Sequence, residues 1–206
     1  MTSISRQHFC RLAGLGLGAM VLGRDDSQAA KFKRVVIDPG HGGKDNGSKW
    51  YGVAEKTLTL DLAKRIQKIL VAKGIPTTLT RTKDVFMELE DRAAVANKQA
   101  DTIFVSVHFN AHRDRSIKGI ETFYYPGSTE GRVLATQIQD ELGKRIKTRN
   151  RGVKPARLKV LRATKGTAVL VECGFISNRW ECQRCASTWF RQVLAEEIVE
   201  GILRYR

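Results

Sequence analysis

The sequence lacks features that would place it in several other protein classes. It contains no apolar run of the roughly 20 residues that a transmembrane helix needs. It has no internal repeat and no low-complexity tract, which argues against a repeat array and against a largely disordered chain. With 206 residues, of which 42% are hydrophobic, the chain is long enough for one domain with a buried core.

Acidic residues are scarce relative to basic ones. The chain has 21 Asp and Glu residues against 36 Lys and Arg residues, and its formal charge is +15 at pH 7. Such a surface attracts polyanions, which include nucleic acids, anionic lipids and acidic cell-wall polymers. The basic residues are spread along the chain without a nucleic-acid-binding motif, so we predict no nucleic-acid partner.

The first 29 residues differ from the rest of the chain. Arg6 and Arg11 precede a glycine-rich apolar run, Leu12 to Gly23, and small residues follow up to Ala29. This order predicts an export signal peptide over residues 1–29, either of the Sec type or twin-arginine-like with Gln7 in place of the second arginine. The alternative, a buried amphipathic helix, is disfavoured by the glycines in the run. We therefore expect a domain over residues 31–206 that is exported, periplasmic and not stably inserted in the membrane.

Cysteine is also rare. Cys10 would leave with the signal, so Cys173, Cys182 and Cys185 remain, and at least one thiol stays unpaired. Cys182 and Cys185 fit either a local disulfide or two separate thiols. No second cysteine pair is present to complete a zinc site with four sulfur ligands.

Apolar periodicity predicts strands that alternate with helices. Helices are predicted from 57 to a stop at Gly74 and over 89–99, 133–146 and 193–202, with strands over 33–38, 77–81, 102–107, 119–125, 158–161 and 168–171. This order predicts an α/β fold, a single domain with a mixed, mostly parallel sheet flanked by helices on both faces. In such folds the functional site lies beyond the carboxyl ends of the strands.

Three polar residues follow predicted strands at that end of the sheet: His41, His108 and Glu172. A single histidine after an apolar strand is usually structural. Two histidines with a carboxylate, however, match the ligand types of a catalytic zinc ion. From the residues alone, a metal site and an acid–base site both remain open.

Several motifs resemble those of the zinc-dependent N-acetylmuramoyl-L-alanine amidases of the amidase 3 type. The resemblance covers Arg34 to Arg206 and rests on segments in the family's order: 35–43 (VVIDPGHGG), Glu55, 79–81 with Asp84, Arg92 and Asn97, 106–111 (SVHFNA), 119–122 (GIET), 151–154 (RGVK) and 169–178 (VLVECGFISN).

The resemblance implies that His41, Glu55 and His108 hold one zinc ion and that Glu172 is the catalytic carboxylate. Without it, Glu55 would be interpreted as a first-turn glutamate favoured by the helix dipole. The implied reaction cleaves the amide bond between N-acetylmuramic acid and L-alanine in peptidoglycan. Two alternatives are a zinc peptidase that acts on the stem peptide and a cell-wall-binding module without catalysis.

Other residues in these segments have simpler interpretations. Gly40, Gly42 and Gly43 would allow a tight loop around the metal. Arg81, Asp84 and Arg92 would form a scaffold of ion pairs.

Three further residues are not expected to belong to the site. His112 and Arg162 are predicted to be solvated, and strand alternation predicts that Cys173 points away from Glu172 into the core. The short segment 126–132 leaves no room for the helical plug of some relatives, so we expect activity without an activator protein.

Overall fold

The computed structural model describes residues 30–206, which form eight strands and six helices. In chain order these are β1 (Arg34–Pro39), β2 (Lys49–Trp50), β3 (Val53–Ala54), α1 (Glu55–Ala72), β4 (Thr77–Leu79), α2 (Leu89–Asn97), β5 (Thr102–Asn110), β6 (Ile120–Tyr124), α3 (Thr129–Arg145), β7 (Asn150–Pro155), α4 (Lys159–Ala163), β8 (Ala168–Phe175), α5 (Arg179–Ala186) and α6 (Thr188–Tyr205).

Six of the strands form one sheet in the order β4-β1-β5-β8-β6-β7. Strands β4, β1, β5 and β8 are parallel, β6 runs antiparallel to β8, and β7 is parallel to β6. The short strands β2 and β3 form a separate antiparallel pair just before α1. The predicted mixed, mostly parallel sheet is confirmed.

Helices cover both faces of this sheet. Helices α1, α3 and α6 pack on one face over a large apolar core that includes Ile37, Val105 and Val171. Helices α2 and α4 cover part of the other face, where Val36, Phe104 and Leu170 are buried. The central strands are apolar on both sides, which explains why their sequences are nearly continuous hydrophobic runs.

Two central strands extend further than predicted. Strand β5 continues through Asn110 and β8 through Phe175, so His108 and Glu172 lie within strands and not after them. The reason is that the core face stays apolar, with Phe109 and Cys173 buried, while the opposite face becomes polar. The predicted strands ended at Val107 and Val171, directly before His108 and Glu172.

The prediction of a strand over 158–161 is wrong, because Lys159–Ala163 forms the short helix α4. A four-residue apolar run does not distinguish a strand from one helical turn, and here Val160 and Leu161 pack against the α2 side of the sheet. Four further elements were not predicted: the short strands β2 and β3, the edge strand β7, whose residues are largely polar, and the charged helix α5.

The predicted signal peptide, residues 1–29, lies outside the described residues. Within residues 30–206, no helix combines the length and the apolar character that a membrane span requires. The segment between β6 and α3 was predicted to be short, and it is: β6 ends at Tyr124 and α3 begins at Thr129. Ser128 caps this helix by accepting a hydrogen bond from the Gly131 amide.

Candidate metal centre and active site

Three side chains from separate elements meet at the carboxyl ends of β1 and β5. His41 follows β1, Glu55 is the first residue of α1, and His108 lies near the end of β5. Glu55 Oε1 is 3.1 Å from His41 Nε2 and 3.0 Å from His108 Nδ1. One potential ligand atom from each residue lies within 4.8 Å of the others, so the three side chains could hold a single metal ion.

The loop after β1 can enclose this cluster because two of its glycines lie where a side chain would collide with the potential ligands. A Cβ on Gly40 would lie 2.2 Å from the His108 ring. A Cβ on Gly47 would lie 2.6 Å from both Glu55 Oε2 and His41 Cδ2. Gly40 was predicted to be part of the tight loop, whereas Gly47 was not, because its closeness to the cluster depends on the folded path of the loop.

Hydrogen bonds orient the potential ligands. His41 Nδ1 donates to Asp45 Oδ2 at 2.8 Å, which leaves His41 Nε2 directed at Glu55. The Ser48 amide donates to Glu55 Oε2 at 2.9 Å, and the Phe109 amide donates to Glu55 Oε1 at 3.1 Å. Such outer partners fix the orientation of metal ligands. Asp45 was not identified from the sequence, although its position four residues after His41 was visible.

The charges of the cluster are coupled. Burial favours the neutral form of Glu55, but hydrogen bonds and charge interactions with His108 and His41 outweigh it and hold the pKa of Glu55 well below its usual range. Burial lowers the pKa of His41, but Glu55 and Asp45 outweigh it and the net shift is upward. An ionised carboxylate between two imidazoles is an electrostatically suitable cradle for a divalent cation.

Glu172 lies beside this cluster. In the parallel register of β5 and β8, Glu172 pairs with His108, so both side chains project from the same face of the sheet. Its Oε2 atom is buried and has no hydrogen-bond partner among the described residues. Burial, with smaller contributions from the charges of Glu55 and Glu121, raises the pKa of Glu172 well above its ordinary value. A carboxyl group in this setting is suited to exchanging protons with a nearby reactant.

A buried ion pair supports the loop after β1, which carries His41. Arg92 Nη1 lies 2.9 Å from Asp38 Oδ1, and both side chains are 2% exposed. Arg92 also donates to the carbonyl of His41 at 2.7 Å. Arg81 donates to the carbonyl of Gly40 at 2.8 Å, and Asp84 accepts from the Gly43 amide at 2.7 Å. The predicted ion pairs are present for Arg92 with Asp38 and for Asp84 with Lys56, whereas Arg81 makes hydrogen bonds to backbone carbonyls instead.

The cluster borders an open cleft of about 330 Å³. Its wall includes the apolar side chains of Phe86, Met87 and Leu89, which follow β4 in the chain, and of Val160 on α4. Phe86 and Leu89 are also exposed to solvent. The cleft therefore offers an apolar surface next to the polar cluster, which is typical of sites that bind organic substrates.

Three residues that were not predicted to belong to the site lie away from the cluster. His112 and Arg162 are exposed, and Cys173 is buried on the opposite face of the sheet from Glu172. Cys182 and Cys185 are buried free thiols on α5, so of the two alternatives the structure has separate thiols.

Comparison with known proteins agrees with these motifs. The sequence model of the Amidase_3 family, described as N-acetylmuramoyl-L-alanine amidase, matches residues 35–204. N-acetylmuramoyl-L-alanine amidase LytC of Bacillus subtilis is 38% identical over 175 residues, which cover 83% of this chain and 35% of LytC. The chain thus spans about a third of that curated relative.

Solved structures share the fold. An N-acetylmuramoyl-L-alanine amidase from Clostridium difficile 630 superimposes with a TM-score of 0.81 at 36% identity, over 85% of this chain and 97% of that one. The CwlD amidase from Clostridioides difficile, solved in complex with the GerS lipoprotein, has a TM-score of 0.80 at 30% identity, over 84% of this chain and 98% of that one. Since the family match includes His41, Glu55, His108 and Glu172 and covers most of the chain, this protein belongs to the Amidase_3 family of N-acetylmuramoyl-L-alanine amidases.

Proposed function

We propose that this protein is a peptidoglycan hydrolase that cleaves the amide bond between N-acetylmuramic acid and L-alanine of the stem peptide. Family membership supports the reaction and the substrate class. The observation that carries the proposal is the position of Glu172 next to a cluster of potential metal ligands, where its buried Oε2 atom has no hydrogen-bond partner within residues 30–206.

The proposed cofactor is one zinc ion, held by His41, Glu55 and His108. Two imidazole nitrogens and one carboxylate oxygen form a ligand set that catalytic zinc commonly uses, with a further position left for water. When bound, zinc would supply a Lewis acid for the scissile carbonyl and a water whose pKa is lowered towards about 7. The hydrogen bonds from Ser48 and Phe109 to Glu55 support this assignment, because they orient the carboxylate in the site.

Glu172 is the proposed proton carrier. Its carboxylate takes a proton from the attacking water and passes it to the nitrogen of L-alanine as the amide bond breaks. Protonation of that nitrogen matters because an amide nitrogen is otherwise a poor leaving group. A positioned acid–base group contributes about 10²- to 10⁴-fold to the rate of such a step. An unpartnered buried carboxyl oxygen costs about 1–3 kcal/mol of stability, a cost that is more consistent with a functional group than with a structural one.

The test is an analysis of the products. Purified peptidoglycan is digested with the zinc-loaded protein, and the fragments are identified by mass spectrometry. We expect free stem peptides that begin with L-alanine and glycan strands that keep bare lactyl groups. Shortened stems still attached to N-acetylmuramic acid would contradict the proposal and favour a stem-peptide peptidase.

We further propose that the protein acts in the periplasm after removal of residues 1–29, with peptidoglycan as its partner and without nucleic acid. The substrate class supports an exported location. The segment between Tyr124 and Thr129 is too short to carry a helical plug over the site, which supports activity without an activator. Activity that appears only after a wall-associated protein is added would contradict this part.

A further inference from the structure

One buried carboxylate beside the active site holds two cations. Glu121 is 4% exposed, and its Oε2 atom pairs with Arg151 Nε at 3.1 Å and with Lys154 Nζ. Its Oε1 atom accepts a hydrogen bond from Asn110 Nδ2 at 2.9 Å. A buried carboxylate needs such partners, because removing it from water without compensation is costly.

Glu121, Arg151 and Lys154 together carry an excess of positive charge. One negative charge on Glu121 faces two positive charges, on Arg151 and Lys154. Within residues 30–206, the two terminal guanidinium nitrogens of Arg151 have no hydrogen-bond partner, since only its Nε donates to Glu121. The side chain of Lys154 is 41% exposed. The pair therefore retains donors and charge that an incoming anion can use.

Arg151 is also held in a defined orientation. Its guanidinium carbon lies 5.2 Å from the centre of the Phe175 ring. Its stem packs over Gly119, where a Cβ would lie 2.9 Å from the Cγ and Cδ atoms of Arg151. A guanidinium fixed in this way loses less conformational freedom on binding than a free surface arginine.

The register of the strands places Lys154 on the same face of the sheet as the active site. Glu121 on β6 pairs with Glu172 on β8, and Lys154 on β7 pairs with Phe123 on β6, so the three charged residues share one face of the sheet. Neighbouring strands are about 4.8 Å apart, which puts β7 about 10 Å from β8. This distance corresponds to about three residues of extended peptide.

The two sides of the active site differ in chemistry. On one side lies the apolar wall that includes Phe86 and Leu89, which follow β4 in the chain, and towards the β7 edge lies the basic pair. In the proposed substrate, the lactyl carboxyl of the sugar is consumed in the scissile amide, so free carboxylates occur only on the peptide. A cation pair thus suits the peptide side of the bond.

Resting on the proposed function, we propose that Arg151 and Lys154 form a subsite that binds a free carboxylate of the stem peptide, and that Glu121 is the positioning residue that holds them. The subsite would set the direction of the substrate, with the peptide over β6 and β7 and the sugar towards the apolar wall. It would also make the enzyme favour stems whose residue after L-alanine carries a carboxylate over stems in which that group is amidated.

The test uses two synthetic muramoyl-peptides that differ only in a carboxylate or a carboxamide on the residue after L-alanine. For the zinc-loaded protein we expect KM to be about ten-fold lower for the carboxylate, the size of one charge-assisted hydrogen bond. Arg151→Gln and Lys154→Met should each reduce this preference by raising KM for the carboxylate peptide more than KM for the carboxamide peptide. Arg151→Lys keeps the charge and should retain part of the preference.

The control is Lys165→Met, which should leave the preference for the carboxylate unchanged. Lys165 is an exposed lysine just before the start of β8, at the opposite end of the sheet.

A second measurement separates this proposal from the proposed function. Binding of both peptides to Glu172→Gln protein is measured by calorimetry, alone and combined with Arg151→Gln. Tighter binding of the carboxylate peptide that disappears with Arg151→Gln supports the subsite, even if neither peptide is cleaved by the wild type. Equal binding of the two peptides would overturn the subsite. So would an equal loss of affinity for both peptides in the Arg151→Gln variant if its melting temperature is unchanged. In either case Arg151 and Lys154 would only form structural ion pairs with Glu121.

Discussion

Asp45 accepts a 2.8 Å hydrogen bond from Nδ1 of His41, and this contact determines which ring nitrogen of His41 faces Glu55. The other oxygen of Asp45 accepts from the Gly47 amide at 2.9 Å. One carboxylate therefore fixes both the imidazole and the loop that encloses it. Asp45 is therefore an outer hydrogen-bond partner of the candidate metal centre, although it is not among the three potential ligands.

Asp45→Ala is expected to weaken zinc binding by about 10- to 100-fold, the usual effect of losing an outer-shell partner. The measurement is a competition titration with a chelator that reports zinc affinity. Asp45→Asn keeps only one acceptor oxygen for two donors, so its affinity should fall between those of the wild type and the alanine variant. Unchanged affinity in Asp45→Ala would show that His41 is oriented by other contacts.

Glu172→Gln is expected to keep the fold and most of the bound zinc while turnover falls by about two to four orders of magnitude. The reason is that glutamine fills the same space but cannot accept and return a proton. Zinc content and hydrolysis rate are measured on the same preparation. A variant with near-normal turnover would refute the proton-transfer role, and one without zinc would make Glu172 a ligand.

His108→Ala provides the contrasting variant. It should lose zinc and activity together, because two remaining protein ligands rarely hold the ion against a chelator. His41→Ala should behave in the same way. If either protein retained a full equivalent of zinc, the assignment of that histidine as a ligand would be incorrect.

Gly47→Ala tests how closely the loop after β1 packs against Glu55 and His41. Gly47 has φ +60°, and an added Cβ would lie 2.6 Å from both Glu55 and His41, so we expect a loss of zinc affinity as well as of stability. The matched control is Gly52→Ala, at φ +81°, where no neighbouring atom of the described residues lies within 4 Å of the added Cβ. That control bears only backbone strain, about 1–2 kcal/mol, and should bind zinc normally. Equal zinc affinity in the two variants would indicate that the loop relaxes around the methyl group.

Arg92→Met is expected to lower the free energy of unfolding by about 3–5 kcal/mol, because it leaves the buried carboxylate of Asp38 without its charged partner. Denaturant titration measures the change. Lys33→Met serves as the control, since its ion pair with Asp101 is solvent-exposed and should not affect the unfolding midpoint measurably. A small effect of Arg92→Met would mean that Ser106 and Thr80, which also donate to Asp38, suffice to stabilise its charge.

The sequence alone predicted the elements with strong apolar patterns. The runs before Pro39 and around Val105 form central strands, and the periodic segment that ends near Gly74 forms α1. These predictions succeeded because burial on one or both faces leaves a direct trace in the order of apolar residues. Strand β7 left no such trace, since it lies at the sheet edge and its residues are half-exposed and polar.

The potential metal ligands were reached by two routes. His41 and His108 follow from their places at the ends of apolar runs, whereas Glu55 was identified only through the family motifs. Its local sequence is that of an ordinary first-turn glutamate. Only the β2 and β3 hairpin and the start of α1 bring its carboxylate between the two imidazoles.

The tertiary structure alone decided the surroundings of these residues. The contact of Gly47 with the cluster, the Asp38–Arg92 pair across 54 positions and the alignment of Glu121 with Glu172 all join segments that are distant in sequence. Local patterns record whether a residue is buried, because burial selects its polarity. They do not record which distant residue it meets, because strand order and register set that contact.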